Sequence, residues 1–315
     1  LLEKKLNQYN NIVHRFFPLD VEILAEKFLV FWKPDLVCFV DSEIWPNFLF
    51  KIKEKNIPLL LINARITKKT FNKWRIIFNF AKRVFGNFDF CLAASEESKN
   101  NLNKLHVKNL KYIGNLKYSA KNTFEELEDY NKKILDNFQT WCAASTHKDE
   151  EIIVLKTHLK IKKNYDNILT IIIPRHIDRA KKVKEELLNL NLNVVFYSNS
   201  NELDKNTDVL IIDSYGESLK FYNIAKYVFV GKSLSKNLMI NSGQNPIEPA
   251  KLGCKIFHGP NVTNFNEIYE YLKTLGITKK VSNSDELAVS LIEEFNQNKA
   301  KNVEISTKID NYGQN

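Results

Sequence analysis

Short apolar runs of strand length alternate with longer amphipathic stretches along almost the whole chain, and that alternation permits few folds. DLVCFV (35–40), PLLLINA (58–64), DFCLAA (89–94) and KYIGN (111–115) form a first series. WCAAS (141–145), LTIIIP (169–174), NVVFYS (193–198), DVLIID (208–213), KYVFVG (226–231) and KIFHGP (255–260) form a second. Runs this apolar, without polar alternation, suit strands covered on both faces, as in parallel sheets. Helical stretches lie between them: Lys68–Phe85, Glu96–Leu105, and Asp149–Lys163 with Ile152, Leu155 and Leu159 on one face. Strand–helix repetition in two blocks predicts an α/β protein of two Rossmann-like, doubly wound domains facing across a cleft. A charged, helical-looking segment, Thr123–Asn137, follows the first block, which places the domains at residues 1–125 and 126–315. At 315 residues the chain can give each of two domains its own core.

Charge and cysteine usage narrow the partners. Lys and Arg total 46 against 37 Asp and Glu, a net charge of +9. The lysines are scattered among asparagines, with no RNP pattern, zinc finger or arginine-rich helix, so nucleic acid is not the expected partner. A diffuse basic surface fits an anionic membrane surface or a phosphorylated substrate better. No stretch approaches the roughly 18 uncharged apolar residues of a membrane-spanning helix. The chain starts at Leu1 rather than Met, and LLEKKLNQYNN has no signal-peptide layout, so an N-terminal piece is expected to be missing. Cys38, Cys91, Cys142 and Cys254 are far apart in mostly apolar runs and read as buried free thiols in a reducing compartment, with no disulfide or metal site.

In doubly wound sheets ligands sit at the carboxyl ends of the strands, so the residues following each strand carry the chemistry. Ser145-Thr146-His147 and the acids Asp149, Glu150 and Glu151 read first as a capped helix start, and second as free N–H groups for a phosphate. Pro174-Arg175-His176 puts a rare arginine at a strand end, where its guanidinium can grip a phosphate bidentately or simply bridge a surface carboxylate. His176 is a second possible donor. Asp213-Ser214-Tyr215-Gly216-Glu217 leads into a helix, and Asn241 to Ala250 places Glu248 at another helix start. A carboxylate there complements the helix dipole or holds a ribose diol. Gly216 and Gly243 supply turns and belong to no GxGxxG or P-loop pattern, which weighs against nicotinamide and ATP. In the first block, Asp41 and Glu43 follow a strand as an acid pair suited to a divalent cation or to capping, and Arg65 ends the next strand.

These segments, in this order, resemble the bacterial Kdo transferases, which attach 3-deoxy-D-manno-octulosonic acid (Kdo) to lipid A precursor. The resemblance is carried by DSEIWPN (41–47), NARIT (63–67), GNLKY (114–118), AASTHKDEE (143–151), PRHIDR (174–179), DSYGES (213–218), SGQNPIEPAKLG (242–253) and FHGPNVTNF (257–265). It implies the two-domain glycosyltransferase-B fold and an inverting transfer from CMP-Kdo to a hydroxyl of lipid IVA in lipopolysaccharide biosynthesis. No metal ion or other cofactor is implied, and the setting is the cytoplasmic face of the bacterial inner membrane. Arg175 would neutralise the CMP phosphate, with Ser145 and Thr146 at their helix N-terminus and His176 assisting. Glu248 would hold the ribose, and Asn245, Gly216 and Glu217 would line the same site. Asp41, Glu43 and Arg65 would face the acceptor or the Kdo carboxylate as catalytic groups. The family's Gly-Gly-His-Asn-Pro reads Ser242-Gly243-Gln244-Asn245-Pro246 here, and Gly-Gly-Ser-Leu reads Gly231-Lys232-Ser233-Leu234, adding a cation. The family's membrane anchor and its Gly-Glu motif, carrying the proposed base, would lie upstream of Leu1. Two other readings remain: a different nucleotide-sugar enzyme such as an epimerase, which would prefer UDP, and a non-catalytic nucleotide-binding remnant.

Overall fold

The computed structural model describes residues 9–118, 126–127, 129–188, 191–235, 242–298, 300–302 and 304–312. The chain divides into two compact units, Leu1–Ala120 with Asp310–Asn315, and Lys121–Ile309. The division thus falls a few residues before the boundary read from composition, and the end of the chain groups with the first unit.

The first unit runs α1 (Glu22–Trp32), β1 (Val37–Val40), α2 (Pro46–Glu54), β2 (Leu59–Ala64), α3 (Lys68–Ile76), α4 (Phe78–Phe85), β3 (Phe90–Ala93), α5 (Glu96–Lys104) and β4 (Leu110–Tyr112). Its four strands pair in the order β1-β2-β3-β4, all parallel. Phe48, Leu49 and Ile52 of α2 pack with Leu59 and Leu61 of β2, Val84 and Phe85 of α4 and Leu102 of α5 in one buried cluster. Pro46 opens α2, and the Asp20 carboxylate accepts the free N–H groups of Asn47 and Phe48 at 3.2 and 3.1 Å, a cap worth about 1 kcal/mol. The single helix expected over 68–85 is two. Ile77, at φ −113° and ψ 47°, breaks it and rephases the chain, so that α4 buries Ala81, Val84 and Phe85 whereas α3 buries nothing.

The second unit continues with α6 (Asp129–Leu135), β5 (Gln139–Thr146), α7 (Glu150–Ile161), β6 (Ile168–Pro174), α8 (Ala180–Leu188), β7 (Val194–Phe196), β8 (Val209–Ile211), α9 (Ser218–Ile224), β9 (Tyr227–Val230), α10 (Ile247–Lys251), β10 (Lys255–His258), α11 (Asn266–Thr274), β11 (Thr278–Lys280) and α12 (Ser284–Gln297); α13 (Glu304–Tyr312) ends the described chain. Seven parallel strands lie in the order β11-β10-β9-β5-β6-β8-β7. Strand order reverses between β5 and β9, the point in an open sheet where a crevice opens at the strands' carboxyl ends. Every residue of β6 is buried, as its unbroken apolar run requires. The polar edge strand β11 has no such run and was not legible.

Two expectations need correction. The buried residues of α7 are Glu150, Glu151, Val154, Leu155, Thr157, His158 and Ile161, and Leu159 packs partly buried against the same core, while Ile152 is 44% exposed. A face completed by acids and a histidine leaves no apolar stripe to read. All four cysteines are free, but Cys38 is exposed on β1 at the sheet edge, and only Cys91, Cys142 and Cys254 are buried. Among the described residues no helix is long and apolar enough to cross a membrane.

Candidate functional site

The tips of β5 and β9 flank the point where strand order reverses, and one carboxylate organises both. Glu150, fully buried at the start of α7, accepts four backbone N–H groups. Its Oε2 takes those of Lys232 (2.6 Å) and His147 (3.1 Å), and its Oε1 those of Ser233 and Leu234 (2.9 Å each). Acids in a first helical turn usually just complement the dipole; this one reaches into the loop after β9. The loop passes so close that a Cβ on Gly231 would lie 2.6 Å from Ser145 O and 2.9 Å from Glu150 Oε2, so only glycine fits. Ser233 carries the connection on to the third tip. Its hydroxyl donates to Val230 O at 2.7 Å and accepts the Gly259 N–H at 2.8 Å, directly after β10.

Ser145 and Thr146 sit elsewhere than a helix N-terminus. Both belong to the end of β5, where Ser145 is left-handed (φ 54°) and the register against β6 shifts between Ala144 and Thr146. The helix starts at Glu150, with left-handed Asp149 (φ 76°) at its cap position, because residues 147–149 are needed to turn the chain. Thr146 is fully buried, and its hydroxyl has no hydrogen-bond partner among the described residues. Its carbonyl accepts the Arg175 N–H at 3.0 Å, which sets the first residue after β6 beside the tip of β5.

Arg175 and His176 are exposed there. The His176 ring lies edge-on to His147 at 5.9 Å. Burial pushes the His147 imidazole below its usual pKa, opposed by its contact with Ser145 O (3.0 Å) and by the Glu150 charge and reinforced by Lys232 and His176. Two histidines, an arginine and a lysine thus gather at adjoining strand tips. Behind them Arg179 pairs with buried Glu151 at 3.1 Å, tying the segment after β6 to α7.

The other expected residues lie along the same edge. Asn245 Oδ1 accepts the Ile247 N–H at 3.1 Å in the turn that enters α10, and Glu248 is exposed in the first turn of that helix. After β8, Gly216 makes a left-handed turn (φ 90°) and Glu217 pairs with Lys220 at 2.8 Å. Asp213 is occupied by the Ser198 hydroxyl and N–H at 2.6 and 3.0 Å.

In the first unit, Asp41 and Asn63 both take left-handed backbone at the tips of β1 and β2 (φ 58° and 55°). The Asn63 amide donates to Asp41 Oδ1, and its carbonyl oxygen accepts the Leu116 N–H at 3.1 Å. Arg65 donates its N–H to Asp41 O at 3.0 Å; burial lowers its guanidinium pKa, while the charges of Asp41 and Glu97 support the cation. Glu43 instead faces outward and accepts the Trp45 indole N–H at 2.8 Å. Asp41 and Glu43 are therefore taken up by different partners rather than paired, and no group of metal-ligating side chains forms among the described residues. Sequence reasoning missed the parts played by Glu150 and Asn63. An acid doublet just after a strand was the only visible sign of the first, and an Asn before an arginine at a strand tip of the second.

Comparison with known proteins bears on both units. A family model described as 3-deoxy-D-manno-octulosonic-acid transferase (kdotransferase) matches residues 1–120. A 3-deoxy-D-manno-octulosonic acid transferase of Rickettsia prowazekii is 30% identical over 289 residues, covering 91% of this chain and 61% of that protein. The chain is thus similar to the 3-deoxy-D-manno-octulosonic-acid transferases over most of its own length. It spans about three-fifths of the length of that relative. The crystal structure of the C-terminal CMP-Kdo binding domain of WaaA from Acinetobacter baumannii superposes with a TM-score of 0.51 at 25% identity, over 57% of this chain and 97% of that domain. Trehalose-6-phosphate synthase OtsA matches 93% of this chain and 73% of its own with a TM-score of 0.55; at 13% identity the likeness is one of fold alone. The fold is the α/β glycosyltransferase-B type that the resemblance implies, built on the doubly wound units expected from the strand pattern.

Proposed function

We propose that this protein transfers Kdo from CMP-Kdo to a hydroxyl of lipid A precursor, with the second unit holding the CMP moiety. The observation that carries the reading is the exposed Arg175–His176 pair beside His147 at the point where the strand order reverses, in a unit that resembles a CMP-Kdo binding domain. Arg175 has the planar donor fork that suits a phosphate bidentately. Glu248, exposed and acceptor-only when ionised, suits the ribose diol. Asn245 holds the turn that presents Glu248, and Gly216 makes the left-handed turn that leads into Glu217.

Transfer forms a bond from the acceptor hydroxyl oxygen to the Kdo anomeric carbon and breaks the bond from that carbon to the CMP phosphate oxygen; the electron pair leaves with the phosphate, and the hydroxyl proton is released. Fixed cations around that oxygen stabilise the charge as it develops. Arg175 supplies that charge from the protein, and the His147 and His176 rings beside it add N–H donors, which is why we assign no metal to the reaction. Arg65 is the cation suited to the Kdo carboxylate or an acceptor phosphate, held by Asp41; Glu43 is the outward-facing carboxylate on that side. The lipid acceptor places the reaction at the cytoplasmic face of the inner membrane. A net charge of +9 and exposed Phe16 and Phe31 fit contact with an anionic membrane surface.

The test is to incubate the protein with CMP-Kdo and lipid A precursor and to follow lipid mass and CMP release together. One CMP released for each Kdo added to lipid is expected; CMP release without Kdo-bearing lipid, or no reaction with either substrate, would overturn the proposal.

A further inference from the structure

Lys232 stands where a lysine is disfavoured. Its φ of 57° is left-handed, a backbone that glycine adopts freely and a side chain resists. The conformation is fastened at both ends: the Lys232 N–H donates to Glu150 Oε2 at 2.6 Å, and the Lys232 carbonyl accepts the Gly243 N–H at 2.6 Å. The residue follows β9 at the reversal of strand order, with the tip of β5 on its other side. Its half-buried side chain has no hydrogen bond or ion pair among the described residues, while both oxygens of Glu150 are filled by backbone N–H groups. The ammonium lies near enough to His147 to disfavour a second positive charge on that imidazole. Strained backbone that its surroundings hold in place concentrates at ligand-binding positions.

We propose that Lys232 is a phosphate-binding residue of the donor site, its ammonium meeting the nucleotide phosphate alongside Arg175 and the two histidines. The inference rests on the CMP reading of that site and adds a second cation to it. Glu150 is the positioning residue, since its bonds to the N–H groups of Lys232, Ser233 and Leu234 keep the loop, and with it the Lys232 side chain, at the strand tips.

The two roles separate in Lys232→Gly, which removes the cation and relieves the backbone. Wild type, Lys232→Gly, Lys232→Arg and the control Lys148→Ala are titrated with CMP, cytidine and inorganic phosphate by calorimetry, and melted without ligand. CMP affinity is expected to fall about ten- to a hundredfold in Lys232→Gly, the range of a charged hydrogen bond. Cytidine affinity stays within twofold, Lys232→Arg recovers most of the loss, and Lys148→Ala, an exposed neighbour of the same charge, changes CMP affinity less than twofold. The ligand-free melting temperature of Lys232→Gly is unchanged or higher. Equal CMP affinity in wild type and Lys232→Gly, or a loss shared by cytidine, would overturn the role of Lys232 and leave the CMP reading standing. Phosphate binding that depends on Lys232 in a protein indifferent to CMP would overturn the CMP reading and keep the anion site. A wild type that binds neither would overturn both.

Discussion

Replacing Glu150 with glutamine tests whether one carboxylate holds the site together. The side chain is fully buried and accepts four N–H groups, two on each oxygen. Glutamine keeps one oxygen and points an NH2 group at the other two donors. Two buried N–H groups are then left without acceptors, at about 1–3 kcal/mol each, so the loss is about 2–6 kcal/mol. The second unit spans residues 121–309, a size at which 1 kcal/mol moves the melting temperature by about 2–4 °C. The expected drop is therefore roughly 5–20 °C, read by calorimetry against the exposed control Glu126→Gln. Amide hydrogen exchange gives a second, local reading. Protection at Lys232, Ser233 and Leu234 should fall by more than at the same unit's core amides, such as those of β6. A melting temperature within about 1 °C of the control, with unchanged exchange at those three amides, would refute the reasoning.

Arg175→Ala should weaken CMP by about ten- to a hundredfold, as the loss of a charge-assisted phosphate contact does, and leave cytidine unaffected; equal losses for both ligands would make Arg175 structural. EDTA should leave CMP affinity unchanged, because protein cations serve the phosphate and Asp41 and Glu43 have separate partners; a loss restored by magnesium or manganese would contradict this. Burial alone would raise the pKa of Asp208, but the His158 imidazole at 3.6 Å, the Lys162 ammonium and the Asn193 N–H at 2.9 Å bring it down to about 2 from 3.8. A folded-state pKa below the unfolded one contributes stability above the unfolded value that is lost as pH falls toward the folded one. Asp208→Asn should therefore cost about 2 kcal/mol near pH 7, and its deficit against wild type should shrink between about pH 4 and 2. A deficit independent of pH would show that the charge is not what matters.

What could be read from the chain was whatever declares itself locally. β6 is apolar throughout because both its faces are covered, and its run marked it as a buried parallel strand. Arg175 was legible because it is a rare residue type at a strand end. The break at Ile77 was not, since Ile76 and Ile77 continue an apolar pattern although they are 84% and 49% exposed. β11, at the sheet edge, needs no apolar run on either side. Glu150 was hidden for a different reason: its partners at Lys232, Ser233 and Leu234 lie more than 80 residues away and are backbone groups, which leave no mark in a sequence. Ser145 and Thr146 were placed at a helix start by a capping rule that holds on average, while here three further residues turn the chain before α7 begins.

The central claim is that the second unit is a CMP-sugar site, and nucleotide preference tests it most directly. Calorimetric titration of the protein with CMP and UDP under one buffer and salt condition should show CMP bound at least about tenfold more tightly, a difference of about 1.4 kcal/mol. UDP bound as tightly as CMP, or more tightly, would contradict the account and favour the alternative of a UDP-sugar enzyme.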